Sequence, residues 1–202
     1  MGMLTALFAV ALLSSPSATR TASAPASGVT RVVINASTGS LRVTGRSGAS
    51  EIIASGKASA KDDALLARTQ VTARRNGSEL RIEAQVPESA SLDLEVKVPS
   101  EVMVEIHDGS GTLFVTNAGS LDITDGSGSM EIDTVHGNVR ITDGSGSIDV
   151  KNVNGSVTIT DDASGSVHVA DVTGDFTVLH KGSGYIEYER VGGRVSLPPK
   201  KK

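Results

Sequence analysis

Two consecutive stretches decide the fold. Asp125 to Thr142 reads DGSGSMEIDTVHGNVRIT, and Asp143 to Thr160 reads DGSGSIDVKNVNGSVTIT. They agree in their opening turn, in a second glycine (Gly137, Gly155) and in every alternating aliphatic position. Repetition at a fixed short period marks a structure in which each repeat cannot bury its own apolar face and must stack on its neighbours.

Working outward, the opening turn recurs at Asp108-Gly-Ser-Gly111, Asp162-Ala-Ser-Gly165 and Lys181-Gly-Ser-Gly184, with successive starts 17, 18, 19 and 19 residues apart. A second turn ends at Gly119, Gly137, Gly155, Gly174 and Gly193. Glycine at these corners points to backbone with φ > 0. Between corners apolar residues alternate: Ile148, Val150, Val153, Val157 and Ile159 in one repeat, and Ile186, Tyr188, Val191, Val195 and Leu197 in the last. Period-two alternation predicts strands with one buried face. Five apolar residues per repeat make a core only when coils stack at about 4.8 Å. The expected fold is all-β: a single-domain, two-sided parallel β-solenoid of about 18-residue coils.

The same rung is legible near the N-terminus, where Val32, Ile34, Gly39, Leu41 and Val43 match the spacing of Met130, Ile132, Gly137, Val139 and Ile141. From 50 to 99 the pattern loosens. Lys61 to Gln70 is helix-like, with Asp62-Asp63 suited to a helix N-terminus. Val71 to Arg74, Asn76-Gly77 and Leu80 to Glu83 have the form of a hairpin. Leu92, Leu94, Val96 and Val98 alternate with charged residues up to Pro99. The expected organisation is a solenoid domain over 28–199, with regular coils at 108–197 and an irregular part at 50–99. Pro198-Pro199 is expected to end it, because proline donates to no further strand.

Residues 1–26 read as a signal peptide. Leu4 to Leu13 is an apolar run too short to span a bilayer, followed by A-x-A cleavage candidates that place the cut within 18–26. Lys200-Lys201-Lys202 is a basic, solvated tail. The chain contains no cysteine, which excludes disulfides and thiolate chemistry, and its net charge of −4 gives no basic field for nucleic acid. The mature chain is expected to lack a transmembrane segment. Only three Phe, two Tyr and no Trp are present, so small aliphatic residues must build the core.

The repeated DGSGS-I-D-V-x-N-V-x-G-S-V-T-I-T, preceded by LDLEVKVPSEVMVEIHDGSG at 92–111, resembles the bacterial putative-adhesin, toastrack-like β-strand-repeat family of envelope proteins. The resemblance covers about 30–199. It implies an extracytoplasmic β-solenoid with adhesin-like or envelope-stress associations and no catalytic residues to carry over.

Candidate chemistry is sparse. Asp108, Asp125, Asp143 and Asp162 share one corner position and would form a ladder ending at Lys181. A cation such as Ca²⁺ would offset their repulsion, but aspartate also opens turns by bonding its own backbone, and the turn is the favoured explanation. Asp122, Glu131, Asp133, Asp149, Glu187 and Glu189 lie on outward strand faces rather than as a glycosidase pair in a cleft. His107, His136, His168 and His180 do not share a register suited to zinc. Thr124, Thr142 and Thr160 are expected to form one threonine ladder. No serine sits in a nucleophile elbow. Phe114, outward between Leu113 and Val115, is the interaction candidate; it either packs beneath segment 50–99 or marks a patch. No cofactor is implied. The expectation is a non-enzymatic exported envelope protein with an adhesin-like binding surface for an envelope protein or a surface polysaccharide. The alternative is an envelope-stress or assembly factor that accepts a strand at its N-terminal edge, with a carbohydrate-active enzyme a weaker third.

Overall fold

The computed structural model describes residues 15–199. The apolar run Leu4–Leu13 and the tail Lys200–Lys202 lie outside them. Sixteen strands and one short helix wind into a two-sided β-solenoid. In chain order these are β1 (Ser17–Pro25), β2 (Arg31–Asn35), β3 (Leu41–Arg46), β4 (Glu51–Ala60), α1 (Asp63–Arg68), β5 (Gln70–Asn76), β6 (Glu79–Gln85), β7 (Ala90–Pro99) and β8 (Met103–Ala118). The coils continue through β9 (Leu121–Val135), β10 (Val139–Ser145), β11 (Ile148–Val153), β12 (Val157–Ser164) and β13 (Val167–Val172). They finish with β14 (Phe176–Ser183), β15 (Ile186–Val191) and β16 (Val195–Ser196).

Each coil contributes one segment to each of two faces. Face I is the parallel stack of β2, the first half of β8, the first half of β9, β10, β12, β14 and β16. Face II is the parallel stack of β3, the second halves of β8 and β9, β11, β13 and β15. Equivalent residues pair in register, so Leu113, Met130, Ile148, Val167 and Ile186 form one column. Ile148, Val150, Val153, Val157 and Ile159 are all at most 1% exposed. Each such side chain stabilises by about 1.5–3 kcal/mol relative to leaving it in water, which is how a chain with few aromatics acquires a continuous core.

The N-terminal rung exists but lies half a coil from the phase the spacing suggested. Val32 and Ile34 pair with Val104 and Ile106 on face I, while Leu41 and Val43 pair with Leu113 and Val115 on face II. Both faces carry the same apolar-polar alternation, so period two alone does not distinguish them. The corner does: Gly39 sits beneath Gly111 of the first DGSG turn, and Thr38 bridges Ser110.

The irregular part closes the N-terminal end. β7 joins β3 in parallel, then β4 and β1 follow antiparallel on face II. On face I, β6 pairs with β2, and β5 turns back on β6 through Asn76 and Gly77, the hairpin that the sequence announces. α1 is shorter than the helical stretch and is capped by Asp62, which accepts from the Leu65 N–H at 2.8 Å. Its C-terminal carbonyls are capped by Arg20 of β1, whose Nε donates to Thr69 O at 2.6 Å and Nη2 to Leu66 O at 2.7 Å. β1 therefore takes part in the folded end: Ser17 through Pro25 are each paired with β4.

The two corners work differently. At the DGSG corner the final glycines stack with positive φ, and a Cβ on Gly146 (φ +145) would lie 1.4 Å from Gly128 O. At the second corner positive φ falls on Asn117, Thr134, Asn152, Asp171 and Arg190 instead. Gly137 and Gly155 there do not adopt it. They are required because a Cβ would meet Ser120 Oγ at 2.3 Å and Gly137 O at 2.5 Å respectively. The expectation that the second-corner glycines supply φ > 0 is thus replaced by close approach between coils.

Candidate functional site

The regular alternation of β8, β9, β10 and β12 places the corner aspartates on the inward side, in line with the aliphatic residues. In β9, Leu121, Ile123 and Asp125 are buried, while Asp122 and Thr124 between them are not. Asp108, Asp125 and Asp143 stack in direct register, followed by Asp162 and Lys181. Exposures fall along the row, from 7% for Asp108 to 4%, 3% and finally 0% for Asp162. Ala36, whose N–H bonds the carbonyl of His107, precedes Asp108 at the other end.

The row combines turn-opening positions with deep burial. Asp108 accepts from the Gly109 N–H at 2.9 Å. The backbone amides of Gly126 and Ser127, of Ser145 and Gly144, and of Ser164 lie close enough to oppose the burial of Asp125, Asp143 and Asp162 without closing a turn bond of that quality. Six buried carboxylate oxygens of the four residues have neither a hydrogen-bond nor an ion-pair partner among the described residues, and the seventh, Asp162 Oδ2, faces Lys181. Burial without a partner disfavours the charged form. It raises Asp108 to about 6, with the neighbouring Asp125 adding to the shift and the Gly109 N–H opposing it. It raises Asp143 to about 7, with Asp125 and Asp162 on either side adding repulsion. Asp125 is also raised by burial, opposed in part by the nearby backbone of Gly126 and Ser127. Asp162 is raised by burial as well, but Lys181 pulls against it. Lys181 Nζ lies 3.1 Å from Asp162 Oδ2, with both side chains at most 6% exposed, and donates to Gly165 O at 2.7 Å and to Ser183 O.

The row thus contains one fixed cation at its C-terminal end and carboxyl groups that favour protons elsewhere. Among the described residues no three acids or histidines converge to hold a metal ion.

The outward side of face II carries the other candidate residues. Arg42, Phe114, Glu131, Asp149, His168 and Glu187 form a single column across six strands. Phe114 is half-buried, and the Arg42 guanidinium lies 4.3 Å from its ring centroid, a cation–π contact from the adjacent strand β3. Asp149 pairs with Lys151 at 2.8 Å and His168 at 3.1 Å. Burial alone would raise its carboxyl, but those two partners hold it below the usual carboxylate range.

The remaining candidates stay dispersed. His107 contacts Glu105 at 2.7 Å, His136 contacts Asn117 at 2.8 Å, and His180 contacts the carbonyl of Thr160 at 3.2 Å. The expected threonine ladder is shorter than its spacing implied. Thr124 pairs with Thr142, but Thr142 pairs with Asp161, because Thr160 is an extra residue at a register shift. Leu179 occupies the same bulge in the next coil, which accounts for the two 19-residue spacings.

Sequence reasoning underestimated the acid row, since a DGSG turn looks the same whether its aspartate faces solvent or core. Its parity with Leu121 and Ile123 was the available signal. The open last coil was also missed: Tyr185 and Tyr188 are 62% and 47% exposed.

The geometry defines a two-sided parallel β-solenoid with an acidic corner inside it. Solved structures of similar architecture include a putative cell adhesion protein from Clostridium sporogenes, 11% identical, covering 91% of this chain and 100% of that one at a TM-score of 0.45. A putative adhesin from Bacteroides fragilis is 14% identical, covering 92% of this chain and 98% of that one at 0.47. A putative lipid binding protein from Parabacteroides distasonis is 13% identical, covering 91% and 97% at 0.34. No family model and no curated protein sequence matches the chain.

Proposed function

We propose that the chain is a non-enzymatic, exported binding solenoid whose outward face II acts as an adhesin-like surface toward a cell-envelope protein or surface polysaccharide. The observation that carries this reading is the in-register outer column from Arg42 to Glu187, which presents Phe114 among ordered charges on a long lateral face. Stacked strands hold such a column rigid, so a partner meets a preorganised surface. Export is supported by the apolar run Leu4–Leu13 with small residues after it. Among the described residues no helix is long and apolar enough to cross a membrane.

The test compares binding of the purified chain to intact cells and to immobilised surface polysaccharide with that of Phe114→Ser. At least a tenfold loss for the variant, with an unchanged melting temperature, is expected. Equal retention of both proteins overturns the assignment to this face. Hydrolysis of the polysaccharide by the wild type would instead revive the enzymatic reading.

A further inference from the structure

Among the described residues the last coil leaves unequal strand edges on the two faces. On face I, β16 adds only Val195 and Ser196 to β14 before Leu197-Pro198-Pro199. On face II, β15 runs for six residues, pairs with β13 along one edge, and has no partner strand on the other among the described residues. The longer unpaired strand edge at this end is therefore that of β15, with Pro198-Pro199 following β16 on the other face.

The inward positions of β15 show what is uncovered. Tyr188 occupies the position of Val150 and Val169, both 0% exposed, yet is itself 47% exposed. Beside it, Tyr185, Ile186, Leu197 and the two prolines border a cleft of about 540 Å³ reached by Lys181. The outward positions of β15 are Glu187, which makes no ion pair among the described residues, and Glu189, which Arg190 of the same strand pairs at 2.5 Å. At the other end of the same face, β1 covers β4 and is fastened to α1 through Arg20.

Charge decides among occupants. A second copy related by a two-fold axis would pair β15 with its own counterpart antiparallel. Keeping apolar residues on one side then sets Glu187 against Glu187 or Glu189 of the copy, and like charges directly opposite are destabilising. A basic partner strand meets no such penalty. The chain shows the matching pattern internally, where Asp149 pairs with Lys151 and His168, and Arg190 Nε bonds Asp171 Oδ1 at 2.5 Å across adjacent coils.

We propose that β15 is a strand-docking edge for an extended segment of another protein, aliphatic at alternate positions and Lys or Arg at the intervening ones. Its main chain extends the ladder, its aliphatic side chains cover Ile186 and Tyr188, and its basic side chains stand beside Glu187 and Glu189. Main-chain bonds give such a complex its affinity, and the alternating side chains give it selectivity. The edge shares Glu187 with the end of the outer column but lies four strands from Phe114, so Phe114→Ser and variants of β15 test the two proposals separately.

The test titrates the full chain with a ten-residue peptide alternating Val and Lys, and with one alternating Val and Glu, using calorimetry and amide hydrogen exchange. The Val–Lys peptide is expected to bind at least tenfold more tightly and to slow exchange within 186–191. The double variant E187K/E189K, altered only at outward positions, is expected to reverse the preference. Equal binding of the two peptides, protection elsewhere on the chain, or no binding of either overturns the proposal. Phe114→Ser should leave the peptide affinity unchanged, and a parallel loss would assign the binding to the lateral face instead.

Discussion

Lys181 Nζ stands 3.1 Å from Asp162 Oδ2, both buried, and this pair closes a row in which the three preceding acids meet no cation among the described residues. Evolution of a repeat by duplication would place a fifth aspartate here; a lysine in that register supplies the one counter-charge. Removing one partner of a buried ion pair leaves an uncompensated charge, at a cost of about 3–5 kcal/mol. Lys181→Met is therefore expected to lower the melting temperature by roughly 10 °C at pH 8. The loss should shrink toward acid pH, because burial raises the Asp162 carboxyl and the variant removes the lysine that opposes it, and Lys181→Met with Asp162→Asn should recover much of it. Scanning calorimetry at pH 8 and at acid pH checks this; an equal loss at both would remove the electrostatic explanation.

The acid row also sets how stability changes with pH. Asp108 at about 6 and Asp143 at about 7 lie above the carboxyl's value in an unfolded chain, about 3.9. Between those limits the folded state binds more protons than the unfolded state, so stability is greatest on the acid side and falls as pH rises through 6–7. Each extra proton contributes a slope of about 1.4 kcal/mol per pH unit. Glu105, Asp149 and Asp171 are depressed by their basic partners and act oppositely, withdrawing stability only when pH falls below about 4. Urea unfolding should thus show higher stability at pH 5 than at pH 8. Asp143→Asn should flatten that slope and raise stability at pH 8; a wild-type curve level between pH 5 and 8 would contradict the row's assignment.

The DGSG glycine is constrained by the neighbouring coil as well as by its own backbone. A Cβ at Gly146 would stand 1.4 Å from Gly128 O, and φ there is +145. Gly146→Ala must push coils apart and is expected to cost more than about 3 kcal/mol or to prevent folding. Gly48 offers the contrast, with φ +68 but nothing within 4 Å of its would-be Cβ. Gly48→Ala should cost only about 1–2 kcal/mol from backbone strain. Chemical denaturation of both variants tests the distinction, and similar losses would show that the stacking contact is unimportant.

Most of the fold was legible because a repeated pattern states its architecture several times over. Val150 and Ile159 each have register mates in other coils, so one ambiguous residue could not mislead. The half-coil phase of Val32 to Val43 was not legible, since two faces with the same alternation differ only at their corners. The threonine row failed for a related reason: Thr160 and Leu179 are insertions, and sequence spacing reveals that a residue was added without saying which. For the candidate sites, the identity of the acid row was plain, whereas the burial of Asp162 depended on the facing of a corner. Alternation places Phe114 outward, and its cover is Arg42 of β3, contributed by a strand 72 positions away in the chain.

The second corner contains a strained residue that its own neighbours show how to relieve. Thr134 adopts φ +58, and Asn117 and Asn152 stand at the equivalent corner with φ +54 and +56. Asparagine tolerates this left-handed region, whereas a β-branched side chain crowds its own backbone there. Thr134 Oγ1 recovers little, since its hydrogen bond is to the adjacent Asp133 Oδ1 at 3.0 Å. Asn152 already reaches Asp133 Oδ1 from the next coil at 2.7 Å, so that carboxylate keeps a donor when the threonine is replaced. Thr134→Asn is accordingly expected to stabilise the chain by about 1 kcal/mol, raising the melting temperature by roughly 2–4 °C. Thr134→Val, which keeps the branch and loses the hydroxyl, should not. Melting curves of the two variants decide the matter, and a Thr134→Asn protein no more stable than wild type would place the strain elsewhere in the corner.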